Sequence, residues 1–111
     1  MVQQVVLDRM FSALADGTRR AVLERLGQGP ATIGELAAPH DMTLTGMKKH
    51  VQVLEDAGLV VTEKVGRTRQ CRLGEQRLDD VQAWLETYRS MLDARLDRFG
   101  QMLERQKGTT P

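Results

Sequence analysis

The sequence is poor in cysteine and contains no long apolar run. Cys71 is the one cysteine among 111 residues, which excludes an intrachain disulfide framework and a zinc site built from several thiolates. No stretch approaches the roughly 18 apolar residues of a membrane-spanning helix, and the first residues lack the basic-then-apolar order of a signal peptide. We therefore expect a cytoplasmic protein with no membrane partner.

A large surplus of charge of either sign is also missing. Sixteen basic and fifteen acidic residues leave a formal net charge of +1, which on its own argues against a nucleic-acid partner. The charge is unevenly distributed, however, because residues 1–42 and 74–111 each total −1 whereas residues 43–73 total +3. Lys64–Leu73 contains four cations and no anion. Its local field favours a polyanion, although a solvated hairpin would carry the same charges.

Catalytic patterns are lacking too. The serines have no neighbouring His and acid in sequence, and no glycine-rich phosphate loop is present. We expect no enzymatic activity and no cofactor. The length fits one domain, predicted over residues 1–107, with a flexible tail at residues 108–111. A chain of this size buries its surface only moderately, so a partner subunit would add stability.

The sequence does contain a succession of helix signals. Apolar residues at helical spacing predict a first helix that ends near Ala15. Asp16 is a good N-cap for a second helix, on which Arg19 and Arg20 are expected to be exposed.

The next signals predict a helix-turn-helix. Thr32 and Glu35 have the spacing of a capping box, which predicts a short third helix stopped by Pro39. Thr43 can cap a fourth helix that ends before Gly58, where a left-handed glycine is expected. A short helix, a turn and a longer helix in this order are typical of a helix-turn-helix.

The outer face of the fourth helix is small, hydroxylic and basic. On a helical wheel Met47, Val51 and Leu54 form the inner side. The residues that face away are Thr45, Gly46, Lys49, Gln52 and Val53, with Lys48 and His50 on opposite flanks. Such a face suits insertion into a major groove, and the helix N-terminus offers amide donors to a phosphate. An ordinary amphipathic helix with a polar outer face would show the same pattern.

After this helix the pattern changes to strands. Leu59–Thr62 and Gln70–Leu73 are strand-like runs on either side of Gly66, which can supply the positive φ of a tight turn. We predict a two-stranded hairpin whose tip carries Lys64, Arg67 and Arg69 beside the fourth helix. The predicted fold is therefore mainly α with a small β-hairpin, a winged helix-turn-helix whose wing can reach the DNA backbone.

The last part of the chain predicts one long helix over residues 78–106. At 1.5 Å per residue it spans roughly 40 Å, more than the core of so small a domain can cover. We expect it to form a homodimer with the help of the first helix; intrachain packing of the two helices is the alternative. The residues predicted at the dimer interface are Val6, Met10, Leu78, Val81, Trp84, Leu85, Tyr88, Leu92, Leu96 and Phe99.

Three of these segments together resemble the ArsR/SmtB family of bacterial repressors. The segments are Phe11–Arg20, Ile33–Ala37 and Thr43–Val60, and the likeness extends over about residues 5–73. The resemblance implies a winged helix-turn-helix homodimer that binds a palindromic operator in double-stranded DNA. Two residues depart from the family pattern, since Gly17 stands where proline is common and Lys48 where serine is common.

The resemblance also implies which residues contact DNA. The matching positions are Thr43, Thr45, Gly46, Lys48, Lys49 and His50, together with the wing cations Lys64, Arg67 and Arg69. His50 lies on a flank of the helix, where it would either hydrogen-bond a phosphate or pack beside the wing.

Many relatives sense metals through cysteine pairs near the third helix or Asp/His sets on the last helix. Neither set is present here, and His40, His50 and Cys71 lie on three different elements. We expect no metal site. Cys71 would be a redox switch if Arg69 and Arg72 lowered its pKa; otherwise it is a packing residue.

These observations predict a homodimeric, sequence-specific transcriptional repressor. A small molecule or another protein is a possible effector. The alternative is a winged-helix module for protein–protein interaction with weak DNA affinity, because fold alone does not determine function.

Overall fold

A computed structural model describes residues 2–75 and 78–108. The helices are α1 (Val2–Leu14), α2 (Gly17–Leu26), α3 (Ile33–Ala37), α4 (Leu44–Asp56) and α5 (Asp79–Gly108), and the strands are β1 (Ala31–Thr32), β2 (Val60–Val65) and β3 (Thr68–Leu73). A mainly helical fold with a small antiparallel sheet confirms the predicted fold class. Helix α5 ends at Gly108, two residues later than predicted, so assigning Gly108 to the flexible tail is wrong, and residues 109–111 of that tail lie outside the described residues.

The predicted helix caps are confirmed. The carboxylate of Asp16 accepts a hydrogen bond from the amide of Arg19 at 3.0 Å, and Thr32 forms the predicted capping box with Glu35. Such side-chain acceptors satisfy amide groups that have no partner inside the helix. The prediction that Pro39 stops the third helix is wrong in detail. Helix α3 ends at Ala37, and the proline lies in a 3-10 turn that follows, near its start, where the missing amide is tolerated.

The end of α4 also agrees with the sequence. Gly58 has a φ of 77°, and its amide donates to the carbonyl of Glu55 at 2.9 Å. The amide of Leu59 donates to the carbonyl of Leu54 at 2.9 Å. This pair of bonds is a Schellman motif, which requires a residue without a Cβ at the left-handed position. It turns the chain directly from α4 into the wing.

The sheet has one strand more than predicted. Strands β2 and β3 form the expected hairpin, but β1 pairs with the other edge of β3, placing Ala31 opposite Cys71. Two residues are too few to show the alternating period by which a strand is recognised in a sequence. Because β1 leads directly into α3, this pairing connects the wing to the helix-turn-helix.

The base of the wing depends on a glycine that the sequence did not single out. The amide of Gly74 donates to the carbonyl of Leu59 at 2.9 Å. A Cβ added to Gly74 would overlap the backbone carbonyl oxygen of Gly58. Only glycine permits the two chain segments to approach so closely.

Residues 1–78 and 79–111 form two compact units. The first has a core of buried residues from α1 to α4 and the sheet, including Leu26, Leu36, Met47, Leu54 and Val60. The second unit is α5, which at 30 residues is roughly 45 Å long. It begins at Asp79, one residue later than predicted.

Candidate nucleic-acid interface

The inner side of α4 determines which of its side chains point outward. Met47, Val51 and Leu54 are buried, as the helical wheel predicts. The exposed residues on the outer side are Thr45, Lys48, Lys49 and Gln52. Val53 was expected to face away from the core, but it is half-buried and packs against it.

The first turn of α4 is compact. The Oγ1 of Thr43 accepts a hydrogen bond from the amide of Gly46 at 3.0 Å, so this amide already has a partner within the protein. A Cβ on Gly46 would lie 3.2 Å from that oxygen and 3.3 Å from the Cε of Met42. Because Gly46 has no side chain, the Thr43 cap can lie close to the helix. The surface of the helix is also less raised at this point, so a duplex could approach it more closely.

The wing cations Lys64, Arg67 and Arg69 form no ion pair within residues 2–75 and 78–108, whereas Arg72 lies 3.7 Å from Glu63. Gly66 begins the two-residue loop between β2 and β3 with a φ of 63°, as predicted, and Arg67 follows it at the exposed tip. Lys64 lies directly opposite Arg69 in the antiparallel register, and both side chains are exposed. Like charges directly opposite each other destabilise a strand pair.

Cations of α4 and the wing line the same cleft. Lys48 and Arg69 border an open cleft of about 400 Å³. The other residues that line it are Ile33, Val51, Gln52, Glu55 and Thr62. The hydroxyl of Thr62 donates to the carboxylate of Glu55 at 3.3 Å, which connects the wing to α4. The cleft is thus lined by two cations and by one carboxylate that is hydrogen-bonded to the wing.

His50 lies on the other flank of α4, away from the wing. Its Nδ1 is 3.2 Å from the NH1 of Arg19 and 3.9 Å from the carboxylate of Asp16. The interpretation that His50 packs beside the wing is therefore wrong. Arg19 was expected to be exposed, but it is half-buried and also donates to the carbonyls of Ser12 and Ala13 at 2.8 and 2.9 Å.

Cys71 is fully buried in β3. Burial is the main reason that the pKa of its thiol is raised; the carboxylate of Glu55 raises it further, and Arg69 lowers it only in part. The raised pKa contradicts the redox-switch alternative and agrees with Cys71 as a packing residue. A raised pKa leaves little thiolate, the form that reacts with oxidants.

Within residues 2–75 and 78–108, no group of three or more His, Cys, Asp or Glu side chains could hold a metal ion. No helix in this part of the chain is both long and apolar enough to cross a membrane.

Most of the residues predicted at a dimer interface are exposed. Those exposed are Leu78, Trp84, Leu85, Tyr88, Leu92, Leu96 and Phe99. Val6 is half-buried, whereas Met10 and Val81 are buried and offer no side-chain surface to a second subunit. Helical periodicity selects residues on an apolar face but does not tell what covers them.

The chain is similar to known transcriptional regulators. A helix-turn-helix domain family matches residues 14–63. The HTH-type transcriptional regulator Rv2034 of Mycobacterium tuberculosis is 38% identical over 81 residues, which cover 73% of this chain and 76% of that protein.

Two solved structures extend the similarity to the fold. The crystal structure of the ArsR family transcriptional regulator RHA00566 is 46% identical and has a TM-score of 0.73, covering 81% of this chain and 93% of that one. The solution structure of the homodimeric winged helix-turn-helix DNA-binding domain of Mb0332 from Mycobacterium bovis is 26% identical and has a TM-score of 0.62. It covers 86% of this chain and 85% of that one.

These relatives are regulators and not enzymes, in agreement with the sequence analysis. The fold, the exposed basic face of α4 and the basic wing are those of a DNA-binding transcriptional regulator. The chain belongs to the ArsR family of winged helix-turn-helix transcriptional regulators.

Proposed function

We propose that the protein is a homodimeric repressor that binds a two-fold symmetric DNA operator. The observation that carries this proposal is the cleft between α4 and the wing, which Lys48 and Arg69 line together. The residues proposed to contact DNA are Thr43, Thr45, Gly46, Lys48 and Lys49 of the α4 region and Lys64, Arg67 and Arg69 of the wing.

The cations in and beside the cleft support a phosphate as its occupant, since the one carboxylate among the described lining residues, that of Glu55, accepts a hydrogen bond from Thr62. Lys64 opposes Arg69 across the hairpin, and no ion pair of either residue is found among the described residues. Two cations held opposite each other cost stability in the free protein. A phosphate between the wing and α4 would remove that repulsion and release counterions from the duplex. Lys49 and Thr45 would then face base edges, where they would contribute sequence preference.

The exposed stripe of α5 supports a second copy of the chain as its partner. Its large exposed residues lie within an arc of roughly 140° on an ideal helix. They are Trp84, Leu85, Tyr88, Met91, Leu92, Leu96, Phe99, Met102 and Leu103. So long an apolar surface is unusual on a monomer. Trp84 and Tyr88 stack on each other with ring centroids 5.8 Å apart, which makes this part of the stripe flat and rigid.

The charges of α5 favour an antiparallel arrangement of the two copies. Residues 79–93 contain four acidic and one basic side chain, whereas residues 94–108 contain four basic and two acidic ones. Antiparallel helices would bring the acidic half of each copy beside the basic half of the other. In the proposed assembly residues 1–107 form one DNA-binding domain in which α5 is the dimerisation helix.

Two-fold symmetry would place the two α4 helices in successive major grooves, about 34 Å apart. As a regulator that binds a DNA operator, the protein would act in the cytoplasm. Any effector, a small molecule or another protein, would act by lowering this operator affinity; a change in the amount of the repressor is the alternative.

Footprinting on the DNA upstream of its own gene tests the proposal. We expect protection of two half-sites related by two-fold symmetry, and weaker protection at higher salt. Deleting the gene for this protein should increase transcription from the same upstream DNA. Equal affinity for this DNA and for a random duplex would contradict an operator-binding function. A single monomer mass by light scattering at micromolar concentration would contradict the dimer, and reduced transcription on deletion would contradict repression.

A further inference from the structure

A hydrogen-bonded cluster connects α4 to the junction between α1 and α2. The guanidinium of Arg19 donates to the carbonyls of Ser12 and Ala13, at the C-terminal end of α1, at 2.8 and 2.9 Å. Its third contact is the Nδ1 of His50 at 3.2 Å, 31 residues further along the chain. Arg19 is itself positioned because its backbone amide donates to the N-cap Asp16. One planar side chain thus joins the end of α1 to the middle of α4.

The chemistry of arginine determines the state of the histidine. A guanidinium has N–H donors and no acceptor, so the Nδ1 of His50 must accept the hydrogen bond. This hydrogen bond requires the tautomer of His50 that carries its proton on Nε2. The carboxylate of Asp16, at 3.9 Å from Nδ1, is beyond hydrogen-bond distance and would become the partner only of a protonated Nδ1. Asp16 and Arg19 are the charged groups that contact this ring nitrogen.

We infer that His50 is a positioning residue for DNA recognition, which fixes α4 against α1 through Arg19. This inference rests on the proposed function, in which α4 enters the major groove. Lys49 precedes His50 directly, so a rotation of α4 about its axis would move its amine relative to the base edges. The bond network opposes such a rotation because the guanidinium is held at three points on two helices. His50 therefore contributes to specificity without touching a base.

The competing role is a hydrogen bond from the Nε2–H of His50 to a DNA phosphate. Two amide variants separate the roles. In His50→Asn the side-chain oxygen replaces the Nδ1 acceptor, but nothing replaces Nε2. In His50→Gln the longer side chain carries its amide out to the position of Nε2 and moves away from that of Nδ1. If His50 is a positioning residue, Asn restores operator affinity. If His50 donates to a phosphate, Gln restores it.

The first experiment compares these variants and His50→Ala on the upstream duplex and on a random duplex of equal length. We expect Ala to weaken operator binding about three- to tenfold, the range of one hydrogen bond. Binding to the random duplex should change less than about twofold, because phosphate contacts alone supply it. Asn should restore most of the operator affinity. Restoration by Gln and not by Asn, or equal losses on both duplexes with Ala, would overturn the inference.

The second experiment needs no DNA. The chain has two histidines, so ring-nitrogen NMR of the free protein resolves His50 with His40 as an internal reference. We expect the Nε2–H tautomer for His50, and a shift towards a mixture of tautomers in Arg19→Lys. The Nδ1–H tautomer in the wild-type protein would overturn the inference and leave the proposed function intact. Absence of operator preference in the wild type would instead remove the proposed function, and the positioning role with it.

Discussion

The two flanks of α4 differ in how their charges are compensated. On the wing side, Lys48 and Arg69 line an open cleft, and Lys64 opposes Arg69 with no ion pair for either among residues 2–75 and 78–108. On the other side, the half-buried His50 contacts Arg19, which also donates to two backbone carbonyls. One flank thus has cations without an ion pair among the described residues, whereas on the other flank the arginine is hydrogen-bonded within the protein.

The difference indicates that the two flanks of α4 have different functions. A surface that binds a polyanion must keep cations without internal partners, at a cost in stability to the free protein. A helix that is to discriminate between sequences must also be held in one orientation, because base contacts depend on geometry. Substitutions that change one flank at a time separate these two functions.

Gly74→Ala should have the largest effect on stability, because it disrupts the base of the wing. The new Cβ would overlap the carbonyl oxygen of Gly58, and neither backbone segment can yield easily. We expect a loss of about 3 kcal/mol in unfolding free energy, the upper end of the usual cost of overpacking. Urea denaturation measures it. The ring NMR of His50 should remain as in the wild type, since its contacts are with α2.

Gly100→Ala is the matched control for this variant. A Cβ on Gly100, which lies in α5, meets no atom within 4 Å, so alanine should stabilise that helix by up to about 1 kcal/mol. Equal destabilisation by the two substitutions would contradict the account of the wing base.

Lys49→Ala and Arg67→Ala should separate base recognition from phosphate binding. Lys49 projects from the outer face of α4, so its loss should weaken operator binding roughly tenfold, about 1.4 kcal/mol, and leave random DNA nearly unaffected. Arg67, at the wing tip, should weaken all duplexes alike and reduce the salt slope of log affinity by about one. Fluorescence anisotropy at several salt concentrations measures both. Identical behaviour of the two variants would contradict the division between base and backbone contacts.

Local signals in the sequence predicted the caps, the turns and the inner face of α4. Asp16 and Thr32 each bond to a group three residues away, and Gly58 and Gly66 adopt the positive φ that their turns require. Such features depend on a few consecutive residues and on the helical period, so a sequence displays them directly.

Features that depend on the tertiary fold were missed. The pairing of β1 with β3 joins segments about 40 residues apart, and the contact of Arg19 with His50 spans 31 residues. Neither contact produces a periodic pattern of residues in the sequence. The sequence left two roles open for Cys71 for a related reason, because neighbouring arginines are visible in the sequence whereas burial, the larger influence on its pKa, is not.

Arg69→Gln should shift stability and DNA affinity in opposite directions. Removing one of two opposed cations should raise the unfolding free energy of the free protein by about 0.5 kcal/mol. The same change should weaken binding to all duplexes, with a salt slope lower by about one. Arg72→Gln is the control, because Arg72 already has Glu63 within 3.7 Å and gains nothing from neutralisation. Destabilisation of the free protein by Arg69→Gln would show that the opposed cations do not repel each other.

The smallest effect is expected for the charge of Asp16 on the closed flank. The hydrogen bond from the amide of Arg19 is the main cause that lowers the pKa of Asp16; desolvation opposes it, and the charge of the Arg19 guanidinium adds to it. A carboxylate whose pKa is lower in the folded than in the unfolded state stabilises the fold above its unfolded pKa. This contribution is lost as the pH falls through the folded pKa.

Asn is an equally good N-cap, so Asp16→Asn removes the charge and keeps the acceptor. We expect wild type to have the higher Tm at neutral pH, and the two melting temperatures to converge below about pH 4. A Tm difference that persists unchanged to acid pH would mean that the cap geometry, and not the charge, distinguishes the two side chains.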